Sequence, residues 1–231
     1  MTIDDIVKLI DATTKLVGAL AWPVLIGFVF VRFGPGLKSF FDSLGEFSLK
    51  GGGFEASAKR RQAEAANALA AAEVARPAPG ARPRDAAKQA REAKELVAEE
   101  ITSNVLRKAA QATALWVDDH PENNVMERQA VEALGVRFVL ATSTEDALAK
   151  LGSQRFELII SDMGRPPDPQ AGYTLLDSLR KSGDTTPFII YASSNAAEHK
   201  KEARKRGALG STNRPSELFQ YVISALRLAD E

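Results

Sequence analysis

The sequence predicts an α/β fold in which a C-terminal five-stranded, doubly wound parallel sheet is preceded by an N-terminal transmembrane helix and a helical stalk. Three observations lead there. From Ala114 onward, short apolar runs alternate five times with helical patterns. Leu16 to Val31 is free of charged side chains and is closed by Lys15 and Arg32. Between the two, an alanine-rich stretch is broken by a cluster of prolines. The 231 residues therefore divide into an anchor with a juxtamembrane helix over 1–50, a stalk over 51–113 with a Pro/Gly linker at 76–83, and a domain over 114–231.

The apolar run LVGALAWPVLIGFVFV is 16 residues long, somewhat under the roughly 20 that span a bilayer. Lys15 and Arg32 make up the difference by extending their alkyl stems and leaving their charges at the interfaces. Pro23 is tolerated in a membrane helix, and with Gly18 and Gly27 it points to a kink or a close helix contact. A cleaved leader would begin with positive charge and end on small residues; here the chain opens with Asp4, Asp5 and Asp11, and the run ends among Phe28, Phe30 and Phe33. The competing reading is a buried helix of a soluble core. Lys8 and Lys15 before the run are outnumbered by Arg32, Lys38 and Lys50 after it, which favours a cytoplasmic C-terminal side. Beyond Gly34-Pro35-Gly36, Leu37, Phe40, Phe41, Leu44, Phe47 and Leu49 recur near helical spacing. They form an amphipathic helix that lies on lipid or packs against a neighbouring subunit. Gly51-Gly52-Gly53 is expected to be a flexible joint. The pattern as a whole is similar to the anchor of many bacterial single-span proteins, which implies a single-pass protein of the bacterial inner membrane with the lipid bilayer as a partner.

The 30 basic and 30 acidic side chains cancel, so nothing draws the molecule as a whole toward nucleic acid or an acidic substrate. Lys200, Lys201, Arg204, Lys205 and Arg206 form a basic run, but no aromatic residues are interleaved to stack on bases. A solvated helix face is the expectation, with no nucleic acid as partner. The absence of cysteine excludes disulfides, thiol nucleophiles and Cys-based zinc sites. Glu55 to Ala75 is a strong helix former by its alanine content, without the large residues of a coiled-coil seam. Three prolines and a glycine between Arg76 and Pro83 end it. Asp85 to about Thr113 is helical again, with Leu96, Val97, Ile101, Val105 and Leu106 as an apolar stripe that dimerises the chain or packs on the following domain. A homo-oligomer assembled through the transmembrane and stalk helices is expected.

In the C-terminal domain the strand-like runs are ALWVDD, RFVLATS, FELIISDM, PFIIYAS and ALGSTN. Helices are expected near 123–134, 144–151, 172–182, 195–206 and 216–226. In a parallel sheet covered on both faces, functional loops sit at the strand C-termini. Asp118 and Asp119 end the first strand and Asp162 the third. Carboxylates gathered there repel one another unless a cation neutralises them, and Mg²⁺ suits oxygen donors in a chain whose histidines are His120 and His199 alone. His120 is given no catalytic role, and Trp116 and Tyr191 read as core residues.

VDDHP, IISDM followed by Pro166, PFIIYAS and NRP resemble, in this order, the landmarks of response-regulator receiver domains. The spacing is similar too, with 43 positions from Asp119 to Asp162 and 52 from Asp162 to Arg214. The resemblance covers Leu115 to about Arg227. It implies a flavodoxin-like receiver fold in which Asp162 is the phosphoacceptor. By the same resemblance Asp118, Asp119, Asp162 and the Gly164 carbonyl hold Mg²⁺, and Ser193 and Arg214 contact the phosphoryl group. The sequence departs from the family at Ala192, where a Ser or Thr is usual and Ser193 stands next to it, and at Arg214, where a Lys is usual. It departs again at Ser211, where an aromatic switch residue is usual, and in a longer loop from Asp162 to Gly172.

No segment reads as a kinase or as a DNA-binding module, and no residue is nominated as catalytic, so the expectation is not an enzyme. The function expected is a membrane-anchored signal-transduction receiver whose Mg²⁺-dependent phosphorylation on Asp162 switches contacts with a partner, with a histidine kinase or another signalling protein as phosphodonor. The alternative is a pseudo-receiver interaction module that is not phosphorylated, an oligomerising membrane effector of a stress or phage-defence system.

Overall fold

The computed structural model of the protein describes residues 52–76 and 82–228. The apolar run Leu16 to Val31, the amphipathic segment Leu37 to Leu49 and most of the proline linker lie outside the described residues. Among the described residues no helix is long and apolar enough to cross a membrane.

In chain order the helices are α1 (Gly52–Ala75), α2 (Pro83–Glu100), α3 (Ser103–Ala109), α4 (Val125–Glu132), α5 (Thr144–Ser153), α6 (Ala171–Lys181), α7 (Ala197–Lys205) and α8 (Pro215–Leu228). The strands β1 (Thr113–Val117), β2 (Arg137–Ala141), β3 (Leu158–Ser161), β4 (Phe188–Tyr191) and β5 (Gly210–Thr212) pair in parallel in the order β2-β1-β3-β4-β5. The expected five-stranded doubly wound sheet is present, with each of its strands and helices near the predicted place. The first helix after β1 starts at Val125 because Pro121–Asn124 forms a 3-10 turn ahead of it.

The period of two along each strand sorts side chains between two cores. Ala114, Trp116, Leu158, Ile160, Ile189 and Tyr191 enter one, while Leu115, Val117, Ile159, Phe188 and Ile190 enter the other. β3 and β4 are buried along their whole length, as central strands covered on both faces must be; β2, at the edge, is only partly buried. The second core is closed by α5, α6 and α7 through Ala147, Leu175, Leu176 and Ala203. The first is closed by α4 and α8, and also by the helices that precede the sheet. Gly135, with φ of 113°, ends the α4 segment in a conformation that suits a residue lacking Cβ.

The segment expected as a stalk lies on the domain. Ala65 and Leu69 of α1, Ala93 and Val97 of α2, and Val105, Leu106 and Ala109 of α3 share the core of Trp116 and Phe219. Ser57–Glu231 is accordingly one compact unit. The alanines that make α1 a poor coiled coil let its backbone approach its neighbours closely. Polar ties add direction: Glu73 is buried, and its Oε1 accepts from the backbone N–H of Ser216 at 2.8 Å and the Ser216 hydroxyl at 2.5 Å, satisfying a free donor at the start of α8. Arg227 pairs with Glu100 at 2.6 Å. The expected glycine joint is corrected as well, since α1 begins at Gly52 and takes in Gly53. A helix nucleated in the alanine-rich stretch extends by one hydrogen bond per added residue, which offsets the preference of glycine for coil.

Candidate functional site

The edge of the sheet at the strand C-termini collects the three predicted aspartates. β1 ends at Val117 and β3 at Ser161, so Asp118, Asp119 and Asp162 follow directly on adjacent strands. Two bonds beyond the strands fix their backbones: Asp118 N–H donates to Ala141 O and Asp162 N–H to Val117 O, both at 2.9 Å. Asp118 is buried, its Oδ1 accepting from His120 N–H at 2.8 Å and its Oδ2 from Asn124 Nδ2 at 2.5 Å. Asp119 is more open and lies 3.7 Å from His120 Nε2. A hydrogen bond donated by the ring to the Glu122 carboxylate, helped by the charge of Asp119, raises His120 above its ordinary value.

Burial pushes the Asp162 carboxyl above the usual range, and the negative charges of Asp118 and Asp119 act in the same direction; a bond from the Met163 backbone and the charge of Arg165 oppose them. The three carboxylates therefore act on one another, as expected. They are not drawn into a ready-made cage: among the described residues no group of three or more His, Asp or Glu side chains is arranged to hold a metal ion. Both Asp118 oxygens are turned toward His120 and Asn124. The donor chemistry still suits a hard cation, because Mg²⁺ retains several waters and needs only one or two carboxylates. The mutual repulsion recorded at Asp162 is what such an ion relieves. Gly164 is exposed in the same loop, two residues beyond Asp162.

That loop is longer than the resemblance implies but tightly folded. Arg165 and Asp168 exchange backbone bonds at 3.0 and 2.8 Å, and Gly172 N–H donates to Met163 O at 2.8 Å. Gly172 is required here, since a Cβ would stand 2.8 Å from Asp162 O and 3.1 Å from Met163 Cα. Arg165 itself turns inward and is only 3% exposed. Its Nη1 donates to Ser161 Oγ at 2.8 Å and Asp162 O at 2.6 Å, and its Nη2 donates to Thr144 Oγ1 at 3.1 Å. Burial lowers the proton affinity of this guanidinium while Asp162, Asp118 and Asp119 raise it, so a resident positive charge stands beside the acidic site.

Ser193 lies on the loop after β4 and borders a hollow of about 270 Å³ with Met163, Gln170, Tyr173 and Ser211. Ser211, at the expected switch position, is buried in β5. Arg214 follows β5, its backbone N–H donating to Thr212 Oγ1 at 3.0 Å. It is exposed and borders a different hollow of about 300 Å³, together with Glu73, Glu92, Glu95 and Glu99. The acidic rims of α1 and α2 offer this cation an alternative neighbourhood that a free-standing domain would lack. Sequence reasoning missed the burial of Arg165 and the role of Asn124, because a charged residue in a Pro-rich loop and an Asn in a turn both read as solvent-facing.

The profile of the family described as the response regulator receiver domain matches residues 114–222. The sensor histidine kinase RcsC of Escherichia coli strain K12 is 30% identical over 101 residues, 44% of this chain and 10% of RcsC. The chain thus spans about a tenth of the length of the curated relatives it matches. The chemotaxis response regulator CheY4 of Vibrio cholerae is 26% identical, with 49% of this chain and 98% of CheY4 covered and a TM-score of 0.43. The receiver domain of the Francisella response regulator 1452 is 24% identical, with 50% and 95% covered and a TM-score of 0.44. With the ordered landmarks, the β2-β1-β3-β4-β5 sheet and the aspartates at its edge, residues 114–222 are a response regulator receiver domain, the module of two-component signalling.

Proposed function

We propose that Asp162 accepts a phosphoryl group from a histidine kinase or another phosphodonor, and that the added charge changes what the domain binds. The observation that carries this reading is the placement of Asp162 directly after β3, beside Asp118 and Asp119 directly after β1, at the sheet edge of a receiver domain. A carboxylate so placed is poised to gain from any group that brings positive charge. In the transfer, an Asp162 Oδ attacks phosphorus, the donor P–O or P–N bond breaks, and its electron pair leaves with the donor. Asp118, Asp119, Asp162 and the Gly164 carbonyl would hold Mg²⁺, which would supply positive charge against the phosphoryl oxygens. The chain's own contribution is to hold Asp118 rigid through His120 and Asn124 and to steady Asp162 through the Met163 backbone.

In this reading residues 16–31 anchor the chain in the bacterial inner membrane with the receiver on the cytoplasmic side, and copies associate through the glycine-bearing span. The test is intact-mass analysis of the full chain incubated with acetyl phosphate and Mg²⁺. One phosphoryl group is expected on the wild type and none on Asp162→Asn. Chelating the metal is expected to slow labelling by more than about tenfold, the factor that each 1.4 kcal/mol of lost charge stabilisation gives. Unlabelled wild type overturns the reading.

The position of Arg214 on the acidic hollow, with Ala192 at the end of β4, favours a second reading: an interaction module that is not phosphorylated and serves an oligomerising membrane effector of a stress or phage-defence system. Under it, Asp162→Asn leaves cellular activity intact and Gly18→Leu or Gly27→Leu abolishes it.

A further inference from the structure

Immediately after α1, a residue from outside the receiver domain reaches the support of its acidic site. Arg76 Nη2 donates to Asn124 Oδ1 at 2.5 Å and to Asn123 O at 3.0 Å. Its Nε lies 3.1 Å from Glu127 Oε1, and its guanidinium carbon is 5.1 Å from the centroid of the Tyr191 ring. The same Asn124 holds Asp118 Oδ2 through Nδ2, and Tyr191 donates its hydroxyl to Glu127 Oε1 at 2.9 Å. Asp118, Asn124, Glu127 and Tyr191 are all buried. One guanidinium thus joins the end of β1, the turn before α4 and the end of β4.

The chemistry of the amide gives this arrangement a direction. Asn124 has one accepting and one donating end. With Oδ1 committed to Arg76, Nδ2 faces Asp118 and sets the orientation of its carboxylate. Glu127 is a buried anion whose opposite charge comes from Arg76, so withdrawing Arg76 leaves it with hydrogen bonds alone. Undocking the end of α1 therefore disturbs Asp118, and by reciprocity whatever reorients Asp118 disturbs α1.

We propose that Arg76 is a positioning residue for the acidic site, linking the docking of α1 to the state of Asp118 through Asn124. The identity of the site's ligand rests on the phosphoryl-acceptor reading above, but the link itself does not. The first arm of the test needs no ligand. In the full chain, Arg76→Met and Asp118→Asn are combined in a double-mutant cycle read by urea unfolding, with near-ultraviolet circular dichroism to verify folding. Arg76→Lys replaces the methionine variant if the latter does not fold, since lysine lacks the fork that reaches Asn124 and Glu127 together. The two changes are expected to be non-additive by a factor of about 5 or more in the unfolding equilibrium constant, and additivity to within that factor overturns the proposal. The second arm follows amide exchange of 65–76 with and without Mg²⁺ and beryllofluoride. A change of about twofold or more is expected in the wild type and none in Arg76→Met; an equal change in both overturns the link, because a merely structural Arg76 would not alter the response. If wild-type Asp162 takes no phosphoryl group, the receiver reading fails while the first arm still decides this one.

Discussion

At Asp162, burial and the charges of Asp118 and Asp119 favour the protonated carboxyl, so ionising it in the folded protein opposes folding. The associated stability is fully present below the ordinary carboxylate range, near pH 4, and is lost as pH climbs through the raised folded value. Asp162→Asn removes that loss. The variant is therefore expected to melt at a higher temperature than the wild type at pH 7 in metal-free buffer, with the advantage vanishing near pH 3; scanning calorimetry across that range checks it. Gly172 decides the other side of the loop. Gly172→Ala forces a Cβ against Asp162 O and Met163 Cα, which is expected to cost about 1–3 kcal/mol in urea unfolding and to slow acetyl-phosphate labelling by displacing Asp162. Asp118, Asp119 and Asp162 were readable from the sequence because acidic residues at the ends of apolar runs mark the mouth of a parallel sheet. Arg165 was not, because its burial comes from Ser161, Asp162 and Thr144, which meet only once β3 and α5 are side by side.

Among the elements, the strands and the five helices that follow them were predictable from periodicity, since each buries its apolar face locally against the next. The helices before β1 were read as a stalk because α1 has almost no apolar face of its own. Among its described side chains Leu69 is the one large residue in the core, 1% exposed. Leu69→Ala is expected to destabilise the unit by about 2–5 kcal/mol, measured as a shift of the urea midpoint; a change near zero would show that α1 is not docked in solution. Arg214 shows the same dependence on neighbours. By resemblance it is expected at the phosphoryl site; it also borders the hollow rimmed by Glu73, Glu92, Glu95 and Glu99, which exists because α1 and α2 fold back.

The molecule from Ser57 onward shares one continuous core between the added helices and the sheet. In a fragment covering residues 57–231, where Trp116 is the only tryptophan, far-ultraviolet dichroism and tryptophan fluorescence are expected to give the same thermal midpoint. Removing residues 57–112 takes Ala65, Leu69, Ala93, Val97, Val105 and Leu106 out of the core that contains Trp116 and Phe219. The shortened domain is expected to be less stable and to bind hydrophobic dyes, and an equally stable fragment would mean that the added helices contribute no core.

The sequence by itself determined the five-stranded α/β sheet and the acidic mouth at Asp118, Asp119 and Asp162, because these follow from short apolar runs that alternate with helical patterns and end on acidic residues. Only the tertiary structure decided where α1–α3 go, that Arg165 turns inward, that Arg214 borders an acidic hollow, and that Arg76 meets Asn124. Those outcomes depend on long-range contacts among alanines and paired charges, whose individual preferences are too weak to be read in one dimension and become decisive only when several act at one place.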